Sequence, residues 1–342
     1  MKILSFIIPS YNSEQYLEKC LKSIINDEVI EKLDIIIVND GSVDNTAVIA
    51  QKYCDMFPDS IRLVSQENKG HGGAINTGFT LANGKYSKVI DADDWVETNN
   101  LPELVRKLET IESDVVLTHN YTTDVSNGEV KKWMCYPRKF GVAYTLEDVV
   151  SEWNLFVRCF TFHGITYNTE FYRKNIYLLS EKVFYEDHEH STFPACFARS
   201  VTPVDLFVYN YRIGDVQQSV SDASRSARAD NMVTVLNRFI SKYKGLGDNE
   251  SIKEFVCLKC KILLVSYLTT MLLVVSDKKM GEARAKEIMK HFKTEMPRTH
   301  KLALKQYRLF CIFNFFGIKK CALDKMLSSK LYLKVKGAKS FE

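Results

Sequence analysis

The first 120 residues alternate short apolar runs with helical patterns, and that alternation leaves the chain few architectures. Residues 5–11 (SFIIPSY) read as a strand, followed near 13–27 by Leu17, Cys20, Leu21, Ile24 and Ile25 at helical spacing. Residues 34–40 (DIIIVND) form a continuous β-branched run, as expected of a strand covered on both faces. Ser42 to Thr46 offer N-cap residues for a helix through about Tyr53. Residues 61–66, 86–94 and 114–121 read as further strands, with helices over 72–83 and from Pro102 to about Ile111. This order predicts a mostly parallel sheet with right-handed crossovers. Ligands of such sheets bind at the carboxyl ends of the strands. Residues 124–145 break the pattern and read as a hairpin or loop turning at Ser126-Asn127-Gly128. From about residue 225 the pattern is helical.

Polar residues gather where the predicted strands end. Asp40 closes the second strand, Asn68 to Gly73 follow the third, Asp91-Ala92-Asp93-Asp94 end the fourth, and Glu186 to His190 follow later. Three carboxylates in four residues repel one another, and a divalent cation removes the repulsion. Mg²⁺ takes one or two protein carboxylates plus phosphate oxygens. In an extended segment Asp91 and Asp93 point to the same side; a solvated turn before Trp95 is the competing reading. Asp40 suits a hydrogen bond to a base or ribose, or a helix N-cap. The glycines of NKGHGGAINTG suit close approach of backbone to a ligand. This loop fits neither a G-x-G-x-x-G fingerprint nor a Walker A loop, which counts against a dehydrogenase or a kinase.

In order, FIIPSYN, IIIVNDGSVDNT, NKGHGGAINTG, GKYSKVIDADDWV, FYEDHEH and YRIGDVQQSVS resemble glycosyltransferase family 2, in particular its bacterial members that build surface glycans. The resemblance covers roughly residues 1–222 and implies an α/β GT-A nucleotide-diphospho-sugar transferase fold, Mg²⁺ or Mn²⁺ as cofactor, and inversion at the anomeric carbon. It places Pro9 and Tyr11 at the nucleobase, with Asn12 and Glu14 close by, and Asp40 in a hydrogen bond to the base. It makes Asp91 and Asp93 the metal pair, with Asp94 supporting the donor sugar or the metal's water shell. Asp187 becomes the catalytic base, and Arg212, Gln218 and Ser219 a segment closing over the diphosphate. Lys69 and His71 reach the donor. His163 is an acceptor-site residue or a satisfied core histidine; His188 and His190 are metal or acceptor contacts, or partly exposed histidines at a helix start. Many family members carry Arg before Asn-x-Gly, and Ile75-Asn76-Thr77-Gly78 lacks it. The donor is a nucleotide-diphosphate sugar, with uridine favoured by the resemblance, and the acceptor a glycan or lipid-linked hydroxyl. A non-catalytic sugar-nucleotide-binding protein would be expected to lose one of these carboxylates. A nucleotidyltransferase would need a glycine- and arginine-rich loop where SYNSEQYLEKC stands.

Charge divides the chain. Residues 1–224 hold 21 Lys+Arg against 32 Asp+Glu, and residues 225–342 hold 25 against 10. Two modules follow: a catalytic domain over 1–222 and a basic helical region over 223–342. Over 301–323, Leu302, Leu309, Phe310, Phe313 and Phe316 alternate with Lys301, Lys305, Arg308 and Lys319, a pattern suited to an anionic membrane interface or to packing on the catalytic domain. No nucleic-acid module is recognised. Residues 255–276 are apolar but interrupted by Lys259 and Lys261, which favours a buried core helix over a spanning one. The opening run breaks at Pro9 and reads as a strand, not a leader. The 9 cysteines lack framework spacing, so reduced thiols and a cytoplasmic location, at the inner face of the cell membrane, are expected. Cys257 and Cys260 read as two buried thiols on a helix.

Overall fold

The computed structural model of the chain describes residues 1–215 and 222–320. The described residues fall into two compact units, one of residues 1–215 with 246–256 and the other of 222–245 with 257–320.

The first unit is built on a nine-stranded sheet: β1 (Leu4–Ser10), β2 (Leu33–Asn39), β3 (Ile61–Ser65), β4 (Tyr86–Val89), β5 (Trp95–Val96), β6 (Val115–Asp124), β7 (Val130–Trp133), β8 (Ile165–Asn168) and β9 (Val201–Ile213). Their order is β3-β2-β1-β4-β8-β6-β9-β5, with β7 beside β6. The first four are parallel. Antiparallel β8 joins β4 to β6, and β9 runs parallel to β6 and antiparallel to β5. Every residue of β1 and β2 is buried, which explains their unbroken apolar sequence: both faces meet other elements. Helices α1 (Leu17–Ile24), α2 (Thr46–Met56), α3 (Gly70–Leu81) and α4 (Leu101–Thr110) supply the crossovers. Leu17, Cys20, Leu21 and Ile24 of α1 lie in the core, the leucines and Ile24 each contributing roughly 1.5–3 kcal/mol on burial.

The register sets the site. Ser10 pairs with Asn39 and Asn39 with Ser65, so the first three strands end level and the loops after them share one edge. The fourth strand is shorter than expected. It ends at Val89, because the Asp94 amide turns back to the Asp91 carbonyl at 3.0 Å. The expected hairpin forms: β6 pairs antiparallel with β7, and Gly128 takes φ 76° in the turn.

The second unit is helical. In Ala229–Lys244 the core positions Met232, Val235, Leu236, Phe239 and Ile240 recur at helical spacing. Helices Lys278–Glu295 and Pro297–Phe315 follow. The helix Glu250–Val274, whose residues up to Val256 belong to the first unit, is long and apolar enough to cross a membrane, yet 67% of its apolar window is buried within the protein, as befits the core helix expected there. Cys257 and Cys260 on it are both buried.

Candidate active site

A cleft of about 360 Å³ opens at the carboxyl edge of β1 and β2, lined among others by Pro9, Tyr11, Asp40, Gly70, His71 and Phe184. Pro9 is buried, and Tyr11 is 53% exposed with its ring at the rim. Asp40 is buried and already serves the protein. Its Oδ1 accepts from the Gln66 side chain at 2.7 Å and the Lys69 amide at 2.8 Å, and its Oδ2 from the Gly70 amide at 2.8 Å. A carboxylate has about four acceptor positions; three are used, which leaves one for a ligand. The helix that Asp40 caps is α3, not α2, which directly follows it. Asn12 and Glu14 do not line the cleft. The Asn12 side chain accepts from the Val43 amide, and Glu14 from the amide and side chain of Asn45. They tie the loop after β1 to the loop after β2. Lys69 is exposed, and its carbonyl accepts from the Lys182 amide at 2.9 Å.

The glycines after β3 have a role the sequence does not disclose. A Cβ on Gly70 would lie 2.6 Å from the Lys182 amide nitrogen, and one on Gly72 2.3 Å from the Ser180 carbonyl oxygen. What these glycines admit is the chain's own segment 179–186, where the sequence reading had placed a ligand. Gly78 admits Ile7 of β1, whose Cγ2 would be 2.2 Å from an added Cβ. Asn76, standing beside the missing arginine, clamps the same segment: its Nδ2 donates to the Leu179 carbonyl and its Oδ1 accepts from the Leu179 amide. Ser180 is held in turn by Glu189, through its amide at 2.9 Å and its hydroxyl at 2.7 Å. Lys182 and Tyr185 take positive φ, 54° and 73°, conformations that persist only where surrounding contacts over-determine them. Asp187, half-buried, begins the short helix at the end of this segment.

His71 joins that segment to the acidic turn. Its Nδ1 lies 2.5 Å from Glu186 Oε1 and its Nε2 2.9 Å from Asp91 Oδ1. Two carboxylates on two ring nitrogens call for two N–H donors, the imidazolium form. Burial alone would push its pKa down; the charges and hydrogen bonds of Asp91 and Glu186 outweigh this and hold it well above the ordinary value. Burial likewise raises Glu186. Asp91 is lowered: burial opposes this, and the charge and hydrogen bond of His71 prevail.

The turn parts the aspartates. Asp91 faces His71, and Asp93 lies 4.0 Å from the Arg212 guanidinium. Asp94 is buried, accepting from the Tyr209 hydroxyl at 2.5 Å and the Arg212 amide at 2.7 Å. Burial, then the charges of Asp91 and Asp93, hold it well above the usual carboxylate range. The Tyr209 hydroxyl also accepts from the Asp91 amide at 3.1 Å, so one side chain of β9 fixes both ends of the turn. Arg212 stacks 4.6 Å over the Tyr16 ring and pairs with Asp215 at 3.2 Å. Gln218 and Ser219 lie outside the described residues.

Asp91, Asp94 and His163 place ligating atoms within 4.8 Å of one another. Carboxylate oxygens suit Mg²⁺ or Mn²⁺, and the mutual repulsion recorded at Asp94 is what a cation relieves. The donor set fits a divalent ion, and Asp93, which the sequence pairs with Asp91, is not in this group. His163 stacks on Tyr211 at 4.3 Å, and burial pushes it down to about 4, which keeps the imidazole neutral. Its carbonyl accepts from Lys88 at 2.6 Å. Lys88, 1% exposed in the middle of β4, is pulled down to about 7 by burial. His190 is 1% exposed and packs 5.3 Å from Tyr167 and 5.5 Å from Phe162. It is a core histidine, whereas the sequence left it as a ligand or an exposed residue.

Lys88, Tyr209 and the His71 bridge escape sequence reasoning because local pattern gives no sign of partners that lie 20 to 118 residues away. A faint signal exists for Tyr209 and Tyr211, which share one face of β9 at a spacing of two.

An open, largely parallel half-sheet ending in an acidic turn, with an antiparallel half behind it, defines the GT-A fold. S. aureus TarS 1–349, solved in complex with UDP-GlcNAc, has this fold: it superposes over 93% of this chain and 92% of its own, with a TM-score of 0.64 at 18% identity. Residues 5–168 match Glycosyl transferase family 2. It is 28% identical to glycosyltransferase GlyA of Streptococcus pneumoniae over 203 residues, 53% of this chain and 29% of GlyA. It is 33% identical to EpsH of Bacillus subtilis over 218 residues, 61% of this chain and 60% of EpsH. The chain thus spans less than two thirds of either relative.

Proposed function

We propose that the chain is an inverting glycosyltransferase moving a sugar from a nucleotide-diphosphate donor, a UDP-sugar first, to a hydroxyl of a bacterial surface glycan or lipid-linked acceptor. The observation that carries this reading is the joining of two half-sites by His71: a base-sized cleft at Pro9, Tyr11 and Asp40 on one side, the acidic turn on the other, with the segment bearing Asp187 locked across them. UDP-GlcNAc in the TarS structure supports the uridine donor.

Tyr11 covers one face of the base, and the remaining acceptor position of Asp40 takes an N–H from it. Asp91 and Asp93, with Asp94 and His163 beside them, would hold Mn²⁺ or Mg²⁺. When bound, such an ion supplies positive charge against the departing diphosphate. The Arg212 guanidinium, held by Tyr16 and Asp215, adds fixed charge at the same place. Asp187 accepts the proton of the attacking hydroxyl, and attack from the face opposite the leaving group inverts the anomeric carbon. Neutral His163, stacked on Tyr211, contacts the acceptor side.

Asp187→Asn tests the assignment: sugar transfer falls about 10²–10⁴-fold while UDP still raises the melting temperature in Mn²⁺. Full transfer by the folded variant would overturn the base assignment. In the second unit, Leu309, Ile312, Phe315 and Phe316 are exposed, with Lys305 and Arg308 on the same helix. This stripe meets an anionic bilayer, each basic residue adding about 1 kcal/mol. Co-sedimentation with phosphatidylglycerol vesicles, lost in Phe315→Asp/Phe316→Asp, is expected; unchanged co-sedimentation would exclude the stripe.

A further inference from the structure

We propose that His119, Cys135 and Cys159 form a second metal site, selective for a thiophilic divalent ion of the zinc class and independent of the donor site. All three side chains are 0% exposed, and their ligating atoms lie within 4.8 Å of one another. His119 Nδ1 stands 3.5 Å from Cys159 Sγ and 4.0 Å from Cys135 Sγ. Its other nitrogen, Nε2, lies 3.1 Å from Asp205 Oδ1. A carboxylate behind the far nitrogen is how proteins orient a metal-binding imidazole and raise its basicity. Phe207 and Phe140 pack at 5.0 and 5.5 Å and fix the ring plane.

The backbone is arranged for this. The β6–β9 register shifts on both sides of His119, and such irregularities re-aim a side chain. Cys135 follows the end of β7, and Cys159 comes from the loop before β8, so three separate segments converge. Two sulfurs and one imidazole leave a fourth tetrahedral position; the Trp133 carbonyl lies 3.7 Å from Cys159 Sγ.

An ion here would tie the hairpin to the loop that carries His163, four residues beyond Cys159. That loop has little slack: a Cβ on Gly164 would lie 2.1 Å from the Cys159 carbonyl oxygen. The site is thus a staple for the floor of the acceptor side, bound through soft donors that leave Mn²⁺ to the carboxylates.

The full chain, purified reduced, is loaded with Zn²⁺ or Co²⁺, desalted and assayed by elemental mass spectrometry and absorption. Stoichiometric zinc, a thiolate-to-cobalt charge-transfer band and a higher melting temperature with Zn²⁺ are expected. Cys135→Ala and Cys159→Ala lose the band; Cys54→Ala and Asp91→Asn keep it. The wild-type spectrum reports sulfur ligation by itself, so a variant that fails to fold does not blunt the test. No charge-transfer band in the wild type, or a band that survives both cysteine variants, overturns the proposal, as does a Cys135–Cys159 disulfide that persists under the reducing conditions.

Discussion

Two clusters of ligating side chains sit in the first unit and differ in almost every respect. The acidic turn is rich in oxygen, partly open, and has Asp91 half-exposed beside a cleft. The His119–Cys135–Cys159 cluster is rich in sulfur and closed to solvent. An open oxygen site suits a substrate-bridging ion that comes and goes with phosphate; a buried sulfur site suits one that stays. The residues from Cys159 to His163 connect them, so one site can stiffen the other without sharing a ligand.

Glycine substitutions divide the two most sharply. Gly72→Ala pushes on the Ser180 carbonyl and shifts the segment carrying Asp187, and a misplacement of about 1 Å costs on the order of 10²-fold in rate. We expect kcat to fall by that order with cobalt binding at the thiol cluster untouched; a wild-type kcat would show that the segment is not held by this contact. Gly78→Ala instead presses on Ile7 in the core. It should lower stability by roughly 1–3 kcal/mol, read by urea unfolding, while the folded fraction transfers sugar normally.

The smallest expected effect concerns Lys88, whose ammonium donates to the carbonyls of His163 and Ile165 and so backs the connecting loop. Its pKa is about 7 in the fold and about 10.4 unfolded. Between these values the unfolded chain holds a proton that the folded chain does not, so stability rises with pH through that window. The slope is at most about 1.4 kcal/mol per pH unit. Lys88→Met should flatten it in denaturant melts at pH 7 to 10; an unchanged slope would mean the lysine stays charged.

Much of this was legible in the chain itself. The strand run at 34–40 and the turn at Ser126-Asn127-Gly128 follow from local pattern, because strands buried on both faces must be apolar and turns need residues that tolerate positive φ. The strand ending at Asp94 was drawn too long, since one hydrogen bond across the turn outweighs the apolar alternation. Asp40 and Gly70 line the cleft, but their partners within the protein are not visible in the sequence. Nothing in NKGHGGAINTG says that residues 179–182 will fill the space above Gly70 and Gly72.

Composition, periodicity and motif order determined the parallel half of the sheet, its crossover helices and the edge where polar residues collect, because those depend on neighbours within a few positions; strands β8 and β9 were not read from the sequence. Only the tertiary structure decided which carboxylates face one another, that His71 bridges Asp91 to Glu186, and that His119 meets two cysteines 16 and 40 residues away. Such pairings are set by how distant segments pack, and packing is a property of three-dimensional contact that spacing along the chain does not encode.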